Sequence, residues 1–151
     1  MTAKHYDYFD FTTTQYFFVS EGQKNKILKS VVFTPLADNI CNVGFGDWHN
    51  GDIDDAVISN NHDIVKIFNT IAKIMYDYSD KFPDQILFID PVDGKRKQLY
   101  NRIFQRHYED IDIRFEIIGI IHDIEAIKDI EEVYSLKKIY DKFKLKRKFV
   151  Q

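Results

Sequence analysis

The chain has 151 residues, a formal net charge of −3 at neutral pH, 44% hydrophobic content and 15% aromatic content. That length buries a sizeable core without cross-links, and the single Cys41 excludes an intramolecular disulfide and a cysteine-based structural zinc site. The acidic balance excludes a globally basic nucleic-acid binder, and no stretch approaches the roughly 20 apolar residues of a membrane span. The first residues, Met1 to Thr14, carry acids and no long apolar run, so they do not read as a signal peptide. A single domain over residues 1–151 in a reducing cytoplasm is the expectation.

Tyr16 to Ser20 and Lys26 to Thr34 are rich in aromatic and β-branched residues around the polar segment Glu21 to Asn25, which predicts a β-hairpin. Pro35 to Asn39 reads as a turn, Ile40 to Trp48 as a third strand, and Ile53 to Ser59 as a fourth after the Asn50-Gly51 turn. The first half is thus an antiparallel meander. Ile64, Phe68, Ile71, Met75 and Tyr78 then follow alternating spacings of four and three, the stripe of a core-facing helix capped by Asn60 or Asn61 and stopped at Pro83. Gln85 to Asp90 predicts a strand buried on both faces, Lys95 to Tyr108 a helix, and Ile113 to Ile121 a further strand. Ile124 to Lys128 is a short return strand or irregular. From Ile130 onward, Val133, Leu136, Ile139, Tyr140 and Phe143 predict a C-terminal helix ending in a basic tail. The fold class is α+β: a meander followed by helix, strand, helix and strand, in one mixed sheet with helices packed on it.

The run from Phe45 to Asp63 concentrates acids, His, Asn and the only Trp between a strand and a helix. Loops on a rigid scaffold are where binding side chains gather. Asp47, Trp48, Asp54, Asn60 and Asn61 are therefore the candidate binding residues, with Arg96 extending the surface electrostatically. Trp48 is the candidate anchor, since a large aromatic beside polar groups is a frequent hot spot; the structural alternative is a Trp packed over the end of the meander. Asp47, Asp54 and His62 are oxygen and imidazole donors suited to a divalent ion, against the plainer reading of a polar turn. Lys142, Lys144, Lys146, Arg147 and Lys148 offer a local contact for nucleic acid, or else a solvated face. The many aromatics also make a homodimer an expected state. Nucleophile elbows and phosphate-cradling glycine loops are absent from the sequence.

Two resemblances follow. The order of elements is similar to the central part of the acetyl-CoA-dependent N-acetyltransferase fold, and Lys95-Arg96-Lys97-Gln98-Leu99-Tyr100 resembles a helix opening of that superfamily. That likeness implies Tyr100 as a general acid. The chain departs from the superfamily at its pyrophosphate turn, where Ser59-Asn60-Asn61-His62-Asp63 stands and Asp63 repels an anion. Over most of its length the chain resembles an uncharacterised bacterial family of short single-domain proteins. The matching words are Ser20-Glu21-Gly22, Val32 to Leu36, Phe45 to Trp48, Ile53 to Asp55, Ser59 to Asn61, Asp63, Tyr76-Asp77, Asp80 to Pro83 and Arg96 to Tyr100. This second resemblance implies no reaction and no cofactor. The expectation is an interaction module, with a toxin-antitoxin or defence locus as one setting; an acetyltransferase-like enzyme or a metal-dependent hydrolase or nuclease is the alternative.

Overall fold

Alternation of aromatic and polar residues starts the sheet earlier than the hairpin at Tyr16 to Thr34. In a computed structural model that describes residues 4–22, 26–49, 52–54 and 63–148, with the backbone alone at 49 and 52–54, Tyr8-Phe9-Asp10-Phe11 already forms a strand. β1 (Tyr8–Thr12), β2 (Gln15–Glu21) and β3 (Lys26–Ala37) run antiparallel, with Tyr8 opposite Phe18 and Gln15 opposite Val32. The expected turn at Pro35 to Asn39 narrows to Asp38-Asn39, because β3 continues to Ala37; Asn39 takes φ 61, which asparagine tolerates. β4 (Ile40–His49) follows, and β5 (Asp52–Asp54) returns beside it with Asp47 opposite Asp54. The rest of the strand expected to Ser59 lies outside the described residues.

Next come α1 (Ile64–Lys81), β6 (Ile86–Ile89), α2 (Gly94–Arg114), β7 (Phe115–Asp123), β8 (Lys128–Val133) and β9 (Lys142–Arg147). The hydrogen-bonded order is β1-β2-β3-β4-β6-β9-β7-β8, with β5 beside β4. The β4–β6 pairing, Cys41 opposite Leu87, is parallel, whereas β6–β9, β7–β9 and β7–β8 are antiparallel, which makes the sheet mixed and the class α+β. Among the described residues no helix is long and apolar enough to cross a membrane.

Contacts gather into two units: Met1–Thr34 with Val43–Phe82, and Pro35–Asn42 with Pro83–Gln151. In the first, α1 presents buried Ile67, Ile71, Ile74, Met75 and Tyr78. Tyr78 stacks on Phe33 with centroids 3.8 Å apart, and the hydroxyl of Tyr8 donates to Asp77. Since Tyr8, Phe18 and Tyr16 share a face of the sheet with Phe33, that is the face α1 covers. Burial of each large side chain stabilises by about 1.5–3 kcal/mol. The backbone places Asp63, not Asn60 or Asn61, at the N-cap of α1, with Ile67 N–H donating to its carbonyl. Pro83, which cannot continue the ladder, follows the last turn.

In the second unit the Asp93 side chain caps α2 by accepting from Arg96 N–H at 2.8 Å. Phe104 of α2 stacks on Phe143 of β9 at 4.1 Å. Asn101 is buried and grips the backbone of Tyr140: its Oδ1 accepts from Tyr140 N–H and its Nδ2 donates to Tyr140 O, both at 2.8 Å. The Tyr140 ring lies so close over Gly119 that any Cβ there would meet it at 2.3 Å.

The expected C-terminal helix is overturned here. Residues 128–133 and 142–147 are strands, and the return strand begins at Lys128 where it was expected to end. The reason is local: Lys142, Lys144 and Lys146 alternate with Phe143 and Leu145, which are fully buried. A period of two suits a strand with one face on the core, and β9 sits between β6 and β7.

Candidate functional site

Neighbouring residues of a strand face opposite sides of the sheet, so Asp47 and Trp48 on β4 take different roles. Lys29 stands opposite Phe18, on the face that α1 covers. Its Nζ donates to Asp47 Oδ1 at 2.5 Å, the two side chains being 3% and 5% exposed. The same Nζ is 5.9 Å from the centre of the Phe45 ring. Geometry this close offsets the desolvation of both charges, and removal of either partner strands the other.

On the same face a second carboxylate is held at the start of α1. Asp63 Oδ2 accepts from Ser20 Oγ at 2.5 Å and from the Tyr6 hydroxyl. Tyr6 in turn accepts from Glu21 N–H at 3.1 Å, and its own N–H donates to Thr70 Oγ1 at 2.8 Å. Lys66 Nζ sits 4.2 Å from the centre of the Tyr6 ring. Burial first, and then the Asp63 carboxylate, push the Tyr6 hydroxyl above its ordinary range. Both acids that bracket residues 48–62 in sequence are thus tied to the sheet, Asp47 through Lys29 and Asp63 through Ser20 and Tyr6. Tyr6 does not stand out in the sequence; Ser20 does so through the Ser20-Glu21-Gly22 word of the resemblance and by keeping phase with buried Tyr16 and Phe18.

The opposite face is aromatic. Phe17 lies with its ring centre 5.7 Å from Phe9, 5.8 Å from Phe11 and 5.1 Å from Trp48, the last two edge-on. Phe17 is buried by these neighbours, whereas Phe9 is 55% and Phe11 67% exposed. The cross-strand pair Val19 and Leu28 widens the patch, each 37% exposed. Aromatic pairs in edge-on or offset geometry add about 0.5–1.5 kcal/mol beyond their buried area. The patch is therefore a fixed platform with exposed rings at its β1 side.

Of the sequence-predicted residues, β4 and β5 bring together Asp47, Trp48 and the backbone of Asp54. Asn60, Asn61 and His62 lie outside the described residues. Arg96 and Tyr100 belong to the other unit. Arg96 is buried, and its guanidinium donates to Asp93 Oδ2 at 2.9 Å, fastening the first turn of α2. Tyr100 is half-buried on that helix. Lys142, Lys144 and Lys146 line the face of β9 turned away from Phe104, and acids flank them: Asp129 is 3.5 Å from Lys142, Glu131 2.5 Å from Lys144, and Glu116 stands opposite Lys146. Arg147 ends β9, and Lys148 Nζ is 3.2 Å from Asp112 Oδ1. Among the described residues no three His, Cys, Asp or Glu side chains are grouped to hold a metal ion.

A model described as a family of unknown function, DUF6934, matches residues 2–148, and the chain belongs to that family. No curated protein and no solved structure matches the chain.

Proposed function

We propose that this DUF6934 chain is a binding module, and that a protein partner docks on the aromatic platform of β1, β2 and β4. One observation supports it: Phe9 and Phe11 expose more than half of their surface beside Phe17 and Trp48, on the sheet face opposite α1. Exposed apolar patches of this kind mark interaction surfaces, and rigid aromatics are the usual anchors. Trp48 is the seat of the platform; Phe9 and Phe11 are the side chains a partner covers. The matching surface is an aliphatic or aromatic patch of another protein. A cytoplasmic setting and a co-encoded partner, as in a toxin-antitoxin or defence locus, belong to the same reading.

The metal-assisted alternative requires Asp47 to exchange Lys29 for a cation, and acyl transfer requires acetyl-CoA to bind near Tyr100. A ligand that binds only the native state raises its melting temperature. Thermal-shift measurements with Mg²⁺, Mn²⁺, Zn²⁺, acetyl-CoA and short RNA are expected to show no shift. Affinity capture from the source cells is expected to retain a protein with the wild-type chain and to lose it with Phe9→Ser/Phe11→Ser, whose melting temperature drops through the lost ring contacts with Phe17 while unfolding stays cooperative above the capture temperature. A shift with a metal ion or acetyl-CoA, or capture indifferent to the two Phe substitutions, would overturn the reading.

A further inference from the structure

β8 ends the strand order, so among the described residues one of its edges has no strand beside it. The ladder to β7 fixes which groups stand there. Tyr134 N–H donates to Ile117 O at 3.0 Å, and Glu132, Ile130 and Lys128 stand opposite Gly119, Ile121 and Asp123. Bonded positions recur at every second residue of an antiparallel pair. The N–H and C=O groups of Asp129, Glu131 and Val133 therefore point away from β7. Exposed aliphatics flank this edge: Ile127 is 82%, Val133 72% and Leu136 50% exposed. Ile127 also holds φ 52, a left-handed value that disfavours a β-branched residue. The turn keeps it there through Asp123 Oδ1, which accepts from Glu125 N–H and Ala126 N–H.

Charges on an edge strand ordinarily block pairing. Here their order permits one register. We infer that β8 pairs antiparallel with β8 of a second copy, about a two-fold axis at Ile130. Outward-pointing groups bond only if odd-numbered residues meet odd-numbered residues, which leaves registers that differ by steps along the strand. With the axis at Ile130, Asp129 bonds Glu131 of the partner subunit on both sides of the axis. Ile130 meets Ile130 of the partner subunit at the close, non-bonded position, and Lys128 meets Glu132 of the partner subunit on both sides of the axis. One step either way sets Glu131 against itself or Asp129 against itself and breaks the Lys128 pairs.

The acids that meet at the axis already carry their own cations. Asp129 Oδ2 is 3.5 Å from Lys142, and Glu131 has Lys144 at 2.5 Å. Glu132 is set in place before any partner arrives, since its Oε1 accepts from Lys138 at 2.8 Å and from the Tyr140 hydroxyl at 2.7 Å.

Sedimentation equilibrium of the full chain over the micromolar range tests the inference. Wild type is expected at twice the mass of one chain. Glu131→Pro removes an outward N–H without touching the ladder to β7, and Lys128→Glu opposes Glu132 of the partner subunit twice. Each is expected to raise the dissociation constant about tenfold or more. Lys128→Glu alters an exposed side chain only, so it decides the matter if Glu131→Pro fails to fold. Phe11→Ser is expected to leave the dimer intact, which separates this surface from the aromatic platform. A monomeric wild type, variants as dimeric as wild type, or dissociation by Phe11→Ser would overturn the inference.

Discussion

Lys29→Met cuts the buried ion pair while keeping most of the side chain's volume, and it strands the Asp47 carboxylate in the interior. Breaking such a pair costs about 3–5 kcal/mol, out of a total stability of about 5–15 kcal/mol for a domain of this kind. Removing both charges in Lys29→Met/Asp47→Leu strands neither member of the pair, so the double variant is expected to regain most of that loss. The only Trp provides the assay: Trp48 is the neighbour of Asp47 and packs edge-on against Phe17. In urea its fluorescence should show the Lys29→Met midpoint lowered by about 2 M with the slope unchanged, given slopes of about 1–3 kcal/mol/M. A loss below about 1 kcal/mol for Lys29→Met would refute the placement of Asp47 as a buried partner of Lys29. So would a double variant as unstable as the two single variants added together.

Gly119→Ala drives a methyl group into the Tyr140 ring, which the Glu132 carboxylate and Ser135 N–H hold by its hydroxyl; urea unfolding should show a loss of about 1–3 kcal/mol or more. Asn101→Ala leaves the N–H and C=O of Tyr140 without their side-chain partners, at a cost of about 2–5 kcal/mol, and hydrogen exchange at the Tyr140 amide should quicken accordingly. Burial first, then the neighbouring Tyr140 and Tyr108, push the Tyr134 hydroxyl up to about 12, and burial also raises Tyr6. A group raised on folding contributes fully below its unfolded value and loses that contribution as pH climbs through the folded one. The melting temperature should therefore fall from about pH 10 toward about pH 12, less steeply in Tyr134→Phe. Identical alkaline curves for that variant and wild type would contradict the assignment.

Legibility in the sequence followed the strength of local patterns. α1 was readable because Ile64 to Tyr78 carries one unambiguous period, and β6 because Ile86 to Ile89 is a short apolar run that ends at Pro91. The tail misleads because Val133, Leu136 and Ile139 repeat at three while Lys142 to Lys146 alternate at two, and the second pattern is the one that tertiary pairing uses. At the candidate site, Asp47 and Trp48 read as one polar cluster, yet strand alternation alone sets them on opposite faces. The bonds of Asp63 to Ser20 and Tyr6 join segments far apart in the chain, and no spacing rule reports them. Phe9 and Phe11, which flank Phe17 as Trp48 does, sit in a strand whose aromatic-polar alternation is visible but brief.

β9 occupies the middle of its unit although β6 and β7, which it joins, both precede it in the chain. A polypeptide made from its N-terminus therefore releases β6 and β7 with facing edges open, and it closes them only when Lys142–Arg147 is added. Until then the edges of β6 and β7 are templates for any other extended segment. The order of synthesis gives the last-made strand command over when this half of the molecule becomes safe from aggregation, and a ribosome stalled before Lys142 would hold out a sheet with its central place empty.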